Sequence, residues 1–548
     1  MLIQRQGDLR PYRRARAWLV ATSILAAGIA LPVQAQDMSG TAPPPEDMTT
    51  DRNGIDLGAR QPALSTDDIS IGSETSGMTY SRLWNGNGWR DSYTFSMTVA
   101  GSSNTLSFGN ATDIFVGNPT SGYTPGTPNG STLTFDPLTT RHTWTMANGR
   151  KLITQAGLNY WSDPYLDKDA EIVEPDGERI KLIYRSAPTQ PCTPGAICIE
   201  RTLRLQSATS TIGYQAKIEY ESDDASNLSN AASRKAWLNV TKVTLLNNAV
   251  DYCDPSADHC TFSRTWPSAT YASVASGTNT LFTVTDALGR ATRYTVDSVG
   301  ALRAIKRPSS SSDNITYTYA GPTNKQRISQ VNNGGDVWQY SYSEGNPDPD
   351  LTTVDIRDPA LNYRSVVMAG ALPLSIQDSL GNITKLQPAG EGQYFSIEKP
   401  EGDKLVNTFD DRRNITQTVR SAKPGFGLAN ITTSAVFPTT CSNPLTCNKP
   451  TSTTDAKGNV TDYTYDPVHG GLLTVPAPAA TSGGVRPQTR YSYTALHAWY
   501  KNSSGALTQA PTPIYQLTGI SRCQTMASCA STADEVKTTI AYGTSGTA

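Results

Sequence analysis

The chain has 548 residues, of which only 17% are charged, with 46 basic and 48 acidic side chains. A chain of this length is too long for one hydrophobic core, so two or more domains are expected. Its 43 glycines, 35 prolines and 25 tyrosines, together with the lack of a long helical pattern, favour an all-β protein. The weak net charge and the lack of a basic patch argue against nucleic acid as a partner.

Residues 1–35 have the parts of a secretory signal peptide. Five arginines precede an apolar run that is too short and too rich in alanine and glycine for a membrane span. A small-x-small site ends at Ala35, so the mature chain is expected to begin at Gln36. The Arg13-Arg14 pair resembles a twin-arginine signal, but its flanking residues favour the general secretory route. An uncleaved anchor is the alternative.

The mature chain keeps 41 basic and 47 acidic residues, which gives it a net charge of −6. It contains no second apolar stretch of 18 residues, so no membrane span is expected after removal of the signal. We therefore expect an exported protein in the periplasm, at the cell surface or outside the cell.

Two segments of different composition follow the signal peptide. Residues 36–67 are rich in proline, aspartate and threonine and are expected to be flexible. Residues 68–246 contain runs of alternating apolar and polar side chains, separated by hairpin turns such as Asp176-Gly177. This pattern predicts an N-terminal all-β domain that leads into, or plugs, the region after it.

A transition segment at 247–280 carries one of four close cysteine pairs. An even number of cysteines behind a signal peptide predicts disulfides, each closing a short loop and stabilising by about 2 kcal/mol. Zinc is the competing interpretation, but the spacing within each pair is too long and no second pair lies nearby. The predicted pairs are Cys192 with Cys198, Cys253 with Cys260, Cys441 with Cys447, and Cys523 with Cys529.

Residues 281–548 contain a recurring five-residue phrase, Asp-x-x-Gly followed mostly by Arg or Asn. Aspartate at the start of a type I turn accepts backbone N–H groups, and glycine permits the positive φ that closes a bulged hairpin. One copy has Ala301 after its glycine, another has Arg413 in place of glycine, and a weaker sixth copy at Asp358 has Leu361 there. The phrase therefore predicts repeated turns followed by strands. The defining positions are Asp286, Gly289, Asp297, Gly300, Asp378, Gly381, Asp410, Asn414, Asp455 and Gly458.

Two positions after each turn raise a question about the faces of the strands. The second residue after the glycine position is apolar in all five copies, and the fifth is mostly large, yet strict alternation would put them on opposite faces. Either both faces are partly covered or a bulge shifts the register. The second residues are Ala291, Leu302, Ile383, Ile415 and Val460, and the fifth residues are Tyr294, Ile305, Leu386, Thr418 and Tyr463.

The repeats resemble the RHS or YD repeat family, whose consensus joins a Tyr-Asp or equivalent pair, a turn ending in Gly-Arg or Gly-Asn, and a short Thr/Tyr-rich strand. Openings such as Phe409-Asp410 and Thr454-Asp455 match it, and the likeness covers 281–465 directly. It implies strands that spiral into a hollow shell. In many bacterial members the shell encloses a C-terminal toxin, and in teneurins it serves adhesion. No closing core segment or toxin follows here, so the shell is expected to be incomplete at its C-terminal end.

No catalytic motif, cofactor motif or metal motif occurs in the sequence. None of the four histidines stands in a pattern that nominates it as a base. Acidic clusters can hydrolyse glycosides or hold calcium, but a solvated loop is the simpler interpretation. The candidate cluster is Asp163, Asp167, Asp169 and Glu171.

We expect an exported, non-catalytic scaffold that forms part of a β-shell and encapsulates or presents a polypeptide, as in polymorphic-toxin or contact-dependent systems. Its partners would be a toxin or a companion RHS polypeptide. One alternative is a protein for adhesion or cell-surface carbohydrate binding, with tyrosines stacked on sugars, although packing between strands is favoured for them. The third is a secreted hydrolase that uses an acidic pair.

Overall fold

The computed structural model describes residues 49–543 apart from several internal segments. The predicted signal peptide, its cleavage site between Ala35 and Gln36, and the Cys192–Cys198 pair lie outside the described residues. The segments left out between 49 and 543 are 74–75, 85, 87, 110, 155–169, 190–200, 323–324, 345–350 and 391–392.

The described residues form 41 strands and one helix, which confirms the all-β prediction. Three small antiparallel sheets come first, made by β1 and β2, by β3 to β5, and by β6 to β9. Their bounds are β1 Ile55–Asp56, β2 Gln61–Pro62, β3 Leu64–Ser73, β4 Ser76–Trp84, β5 Trp89–Asp91, β6 Phe95–Ala100, β7 Ser103–Phe108, β8 Ala111–Asn118 and β9 Gly122–Pro125.

The main sheet has 25 antiparallel strands, β10 to β34, and each pairs with its neighbours along the chain. The helix α1, Ala231–Leu238, lies in the connection before β17. The bounds are β10 Thr132–Asp136, β11 Arg141–Thr145, β12 Lys151–Thr154, β13 Ala170–Val173, β14 Arg179–Pro188, β15 Arg201–Ser210, β16 Tyr214–Tyr220, β17 Val240–Asn247, β18 Ser268–Ser276, β19 Asn279–Thr285, β20 Ala291–Val296, β21 Leu302–Lys306, β22 Ile315–Ala320, β23 Arg327–Asn333, β24 Asp336–Glu344, β25 Leu351–Arg357, β26 Tyr363–Ala369, β27 Leu372–Gln377, β28 Ile383–Gly390, β29 Gln393–Glu398, β30 Lys404–Phe409, β31 Ile415–Ser421, β32 Ile431–Val436, β33 Ser452–Thr454 and β34 Val460–Asp462.

Two small sheets complete the described chain, one of five strands and one a hairpin of β38 and β39. The bounds are β35 Thr464–Tyr465, β36 Leu472–Pro476, β37 Gln488–Leu496, β38 Trp499–Lys501, β39 Leu507–Gln509, β40 Ile514–Cys523 and β41 Glu535–Thr539.

The recurring phrase forms the predicted turn. In the first copy the Asp286 carboxylate accepts hydrogen bonds from the backbone N–H groups of Leu288 and Arg290, each at 2.9 Å. The N–H of Gly289 donates to the Asp286 carbonyl at 2.9 Å, and Gly289 has φ +77°. The turns that begin at Asp297, Asp358, Asp378, Asp410 and Asp455 repeat this arrangement.

The fifth residue of the phrase completes the turn through its side chain. The Asn414 amide donates to the second carboxylate oxygen of Asp410 at 2.9 Å, and Asn382 does the same to Asp378. The side-chain hydrogen bond from Asn382, with its backbone N–H, lowers the pKa of Asp378. This bond explains why asparagine recurs at a position that backbone geometry leaves open.

Two copies hold a non-glycine residue in the left-handed region. Leu361 has φ +68° and Arg413 has φ +69°, close to the φ of +85° at Gly381. Because the left-handed conformation costs L-residues about 1 kcal/mol, we expect Leu361→Gly to raise the free energy of unfolding by about that amount. The matched change Gly381→Leu should lower it by a similar amount. Urea denaturation measures both, and a loss of stability in Leu361→Gly would contradict the prediction.

Bulges settle the question of the two apolar positions. In the second copy the pairing of β20 with β21 skips Arg303, so Leu302 and Ile305 are both buried. In the fourth copy the pairing of β30 with β31 skips Thr416, and Ile415 is buried. The other copies pair without a shift, and their second residue is exposed, as an alternating strand requires. These exposed residues are Ala291, Ile383 and Val460.

The main sheet runs without interruption through the predicted transition segment at 247–280. Strand β17 pairs with β18, and β18 pairs with β19, so the strands before the repeats and those within them belong to one sheet. Five-residue turns of the same type also close hairpins at 146–150 and 174–178, upstream of the first Asp-x-x-Gly copy. The division of the mature chain into domains stays a prediction.

Residues 49–67 are packed against the rest of the fold, whereas the sequence predicts a flexible segment there. Ile55 and Leu57 are at most 1% exposed and join the same core as the strands of the main sheet. The N–H of Ile328 in β23 donates to the Arg60 carbonyl at 3.0 Å. Composition alone pointed to flexibility, but these two apolar side chains and a backbone hydrogen bond order the segment.

Candidate functional site

The end of the main sheet returns to contact its beginning. The Asn448 amide, in the loop between β32 and β33, donates to the carbonyls of Asn129 at 2.8 Å and Ala147 at 3.0 Å. Both acceptors flank the first hairpins of the sheet, about 300 residues earlier. The sheet therefore winds round until the hairpin tips of one part meet those of another.

The contact between early and late parts of the chain continues past β34. The N–H of Tyr515 donates to the Asp176 carbonyl at 2.8 Å, and the N–H of Lys501 donates to the Asn248 carbonyl at 2.8 Å. Backbone groups at hairpin tips have no partner within their own hairpin, so these hydrogen bonds satisfy them. The junction thus runs along several successive hairpins rather than through one point.

The N-terminal strands cover one face of the main sheet. Tyr80 of β4 lies 6.5 Å from Tyr271 of β18, and Trp89 of β5 lies 5.0 Å from Tyr294 of β20, between ring centroids. The first pair is tilted and the second is edge-on, and edge-on pairs at such distances stabilise beyond their buried area. One face of the sheet is therefore packed against residues from the start of the chain.

A buried polar contact attaches the segment 49–62 to this face. The Tyr340 hydroxyl donates to the Asp51 carboxylate, and the Asn53 amide donates to the Tyr340 oxygen at 3.0 Å. Burial raises the pKa of Asp51, against the hydrogen bonds from Tyr340, Ile55 and Asn53 that favour its charged form. The carboxylate is held in place by these donors across 289 residues of sequence.

Three of the predicted disulfides lie within the described residues. The Cα atoms are 5.6 Å apart in Cys253–Cys260, 4.9 Å in Cys441–Cys447 and 5.4 Å in Cys523–Cys529. Cys441–Cys447 closes the loop that carries Asn448 into the junction. Asp534 lies near the sulfurs of the third pair, but disulfide sulfurs are not thiolates and cannot serve as the usual metal ligands.

The Cys253–Cys260 loop covers a buried cation. Arg204 is fully buried and donates to the carboxylates of Asp258 at 2.9 Å and Asp223 at 2.6 Å. Its guanidinium also lies 4.6 Å from the Trp237 ring and 4.3 Å from the Tyr220 ring. Asp258 belongs to the disulfide loop, so the loop supplies part of the charge that compensates Arg204.

A second buried cation lies under the same loop. Lys217 is fully buried and donates to the backbone carbonyls of Gln206, at 3.2 Å, and of Ala257. Burial lowers the pKa of Lys217 to about 8, although the charge of Asp258 opposes this shift. The arrangement is a structural polar core, in which the loop satisfies donors that the sheet alone would leave unpaired.

An acidic hairpin tip takes part in the junction. Burial raises the pKa of Glu178 to about 7, and the charges of Asp176 and Glu174 add to the shift, while a hydrogen bond from Ser210 opposes it. This tip contacts Tyr515 through the Asp176 carbonyl. The junction therefore contains a carboxyl group that is protonated more readily in the folded state than in the unfolded chain.

The raised pKa of Glu178 predicts a pH dependence. Because the folded pKa lies above the unfolded value of 4.5, its contribution to stability is full below pH 4.5 and is lost as the pH rises through about 7. Glu178→Gln should therefore match the parent near pH 4.5 and exceed its free energy of unfolding by about 2 kcal/mol near pH 8. Urea denaturation at both pH values measures this, with Asp411→Asn at an exposed turn residue as control. An unchanged difference between Glu178→Gln and the parent would contradict the prediction.

The remaining sequence candidates do not assemble into a catalytic group among the described residues. Glu171 forms an ion pair with Arg179 at 2.8 Å, while Asp163, Asp167 and Asp169 lie outside the described residues. Many tyrosines are buried, as packing between strands requires. Those at most 6% exposed are Tyr80, Tyr93, Tyr271, Tyr294, Tyr317, Tyr340 and Tyr394.

Sequence reasoning missed the polar residues that hold distant parts of the chain together. Arg204, Lys217, Asp51 and Asn448 stand in no motif, and their partners are far away in the sequence. The sequence offered no signal for the burial of Arg204 and Lys217, because Arg204 stands between two leucines and Lys217 between Ala216 and Ile218, where alternation predicts a residue that faces solvent.

No family model matches the chain, and no curated protein matches it either. No helix among the described residues has the length and apolar character needed to cross a membrane.

Solved structures with some likeness include three crystal structures that contain TcdB2-TccC3. TcdB2-TccC3-TEV has a TM-score of 0.32 at 12% identity, and the match covers 81% of this chain and 24% of that one. TcdB2-TccC3-Cdc42 has a TM-score of 0.24 at 12% identity, covering 71% and 27%. TcdB2-TccC3 has a TM-score of 0.22 at 11% identity, covering 84% and 33%. The chain thus spans a third or less of their length, and the all-β assignment rests on the strands described above.

Proposed function

We propose that the chain is an exported, non-catalytic scaffold whose winding sheet forms part of a β-shell that encapsulates or presents a polypeptide. One observation carries the proposal: a sheet of 25 strands in chain order whose late hairpins return to its early ones. A sheet that winds in this way separates an inner face from an outer one. Such a wall suits a role in surrounding another molecule.

Features of the site support the choice of a scaffold. The buried polar groups around Arg204, Lys217 and Asp51 each satisfy structural partners, and the disulfides close loops at the sheet's hairpin ends. Disulfides of this kind suit an oxidising compartment, which agrees with the predicted signal peptide. The partner would be a toxin or a companion repeat polypeptide of the kind that the RHS resemblance implies.

Protease protection tests the proposal. The tagged full chain is isolated from its native cell envelope and treated with protease before and after unfolding in urea. We expect an associated polypeptide that resists digestion in the native sample and is digested after unfolding. An associated polypeptide that is digested equally fast in both samples, or no associated polypeptide, would refute encapsulation.

A matched pair of asparagine variants shows whether the junction matters. Asn448→Ala removes the amide that joins the late loop to Asn129 and Ala147, and should expose the enclosed polypeptide to protease. Asn459→Ala removes a similar bond, to Asp455 within one exposed turn, and should leave protection unchanged. Equal protection in both variants would mean that the junction does not close the wall.

A further inference from the structure

The main sheet has two edges that are made of hairpin turns. Strands β10 to β34 pair in chain order and antiparallel, so successive turns lie at opposite edges. We call the edge with the turns that follow odd-numbered strands the odd edge, and the opposite one the even edge. The turns at 146–150, 286–290 and 378–382 lie on the odd edge, and those at 137–140 and 297–301 lie on the even edge.

The junction within the chain joins these two edges to each other. Asn448 lies in the loop after β32, on the even edge, and donates to the carbonyl of Ala147 in the odd-edge turn 146–150. Leu445 of the same loop packs so closely on Gly149 that a Cβ there would lie 2.6 Å from the Leu445 side chain. The two edges of this sheet are therefore complementary in shape and in hydrogen bonding.

The odd edge continues beyond the part that the junction covers. Its contacts with later residues extend to Asn248, which accepts from the N–H of Lys501. The turns that follow on the same edge carry exposed leucines. Leu288 is 77% exposed, Leu361 is 61% exposed and Leu380 is 84% exposed.

The third residue of the five-residue turn differs between the covered and the uncovered part of the odd edge. It is Asn148 or Asp176 in the covered turns, and Leu288 or Leu380 in uncovered ones. A turn that faces only water gains nothing from a leucine at its tip, whereas a group of exposed apolar residues marks an interaction surface.

Two of the uncovered turns form a continuous apolar patch. The turns of Leu361 and Leu380 are neighbours on the odd edge, two strand spacings or about 10 Å apart. The exposed side chains of Tyr363 and Ile383 begin the strands that follow these turns. Four large apolar residues thus lie together on an edge whose earlier part is an interface.

The even edge has exposed apolar residues in its early turns. Leu138, after β10, is 94% exposed, and Val299, after β20, is 50% exposed. One chain therefore presents a free stretch of each edge, and these are the two kinds of edge that bind each other within the chain.

We propose that the free odd edge of one chain, around Leu361 and Leu380, binds the free even edge of a second copy, around Leu138 and Val299. The contact repeats between two chains the junction that exists within one. Because the two surfaces differ, association is head to tail and does not stop at a dimer.

The inference is independent of the enclosure of a polypeptide. A chain that stays monomeric and still protects an associated polypeptide from protease refutes this inference alone. A chain that associates with itself but protects nothing refutes the proposed function alone.

Sedimentation velocity of the purified chain over a range of concentrations tests self-association. We expect species larger than one chain, whose size grows with concentration. They should persist at high salt, because salt screens charges but does not weaken apolar contacts. A chain that stays monomeric at every concentration, or that dissociates when salt is added, overturns the proposal.

Variants at the two edges locate the contact. Leu361→Asp combined with Leu380→Asp alters the odd edge, and Leu138→Asp alters the even edge; each should weaken association by at least about tenfold. Aspartate is compatible with the third position of the turn, as Asp176 shows. Ile114→Asp, at an exposed residue of β8, is the matched control and should associate like the parent. Association equal to the parent's in both edge variants overturns the proposal.

Mixing the two edge variants tests the head-to-tail arrangement. The odd-edge variant keeps an intact even edge, and Leu138→Asp keeps an intact odd edge. At a concentration where neither associates alone, an equimolar mixture should therefore form a dimer. A mixture that stays monomeric overturns the proposal. Leu138→Asp that associates like the parent also overturns it, because odd edges then bind each other.

Discussion

Serine at both Cys253 and Cys260 should lower the free energy of unfolding by about 4 kcal/mol, more than the loss of a short disulfide loop alone would cause. Closing such a loop contributes about 2 kcal/mol through the entropy of the unfolded chain. The same loop places Asp258 beside Arg204 and the Ala257 carbonyl beside Lys217. A mobile loop would leave two buried cations with weaker compensation, which adds to the cost.

Urea denaturation of the oxidised parent and the double variant measures the effect. The matched control is serine at Cys523 and Cys529, whose disulfide has a sequence separation of 6 against 7 for Cys253–Cys260, and whose loop covers no buried cation among the described residues. We expect the control to lose only about 2 kcal/mol. Equal losses in the two double variants would show that the Cys253–Cys260 loop acts only as a covalent link.

Asp258→Ala separates the charge from the disulfide in the same region. The variant keeps the covalent loop but removes a carboxylate that Arg185 contacts at 2.5 Å and Arg204 contacts at 2.9 Å. If the loop stabilises the fold by compensating the charge of Arg204, Asp258→Ala should lower the free energy of unfolding by about 2 kcal/mol, which is the difference between the loss expected for the double serine variant and the contribution of loop entropy. A stability equal to the parent's would contradict that account.

Asp51→Ala should lower the free energy of unfolding by about 3 kcal/mol and release the segment 49–62. The carboxylate accepts from the backbone N–H groups of Ile55 and Asn53, each at 2.9 Å, and from the Tyr340 hydroxyl. Alanine leaves these donors without an acceptor in a buried place, and each orphaned donor costs about 1–3 kcal/mol.

Urea denaturation gives the loss, and limited proteolysis shows whether the first cleavage falls within 49–62. Asp336→Ala, at an exposed hairpin aspartate, is the control and should change neither reading. Asp51→Asn keeps one acceptor oxygen and should lose less than alanine. Resistance to proteolysis in Asp51→Ala would mean that the packing of Ile55 and Leu57 alone secures the segment.

The turns could be predicted from the sequence, because every hydrogen bond of the turn joins residues within a stretch of five. Asp378 meets the Asn382 side chain and backbone there, and the copy at Asp358 forms the same turn although Leu361 replaces glycine. The same reason made three disulfides predictable: those between cysteines 253 and 260, 441 and 447, and 523 and 529. Local spacing sets their separation, and short loops keep their Cα atoms close.

The burial of individual strand residues could not be predicted from the repeated phrase. Leu302 and Val460 occupy the same position after their turns, yet Leu302 is fully buried and Val460 is 38% exposed. A bulge at Arg303 rotates the former toward the core, and the pairing at Val460 has none. Whether a partner strand accommodates an extra residue depends on that strand, so the phrase itself carries no sign of the difference.

The contacts between late and early hairpins, and those between the N-terminal segment and the main sheet, could not be predicted from the sequence either. Asn448 and Asn129 are 319 residues apart, and Tyr340 and Asp51 are 289 apart. Each residue alone resembles many exposed polar residues of the chain. Their partners come within reach only after the accumulated twist and bulges of some twenty intervening strands bring the late hairpins back to the early ones, and no local pattern encodes that sum.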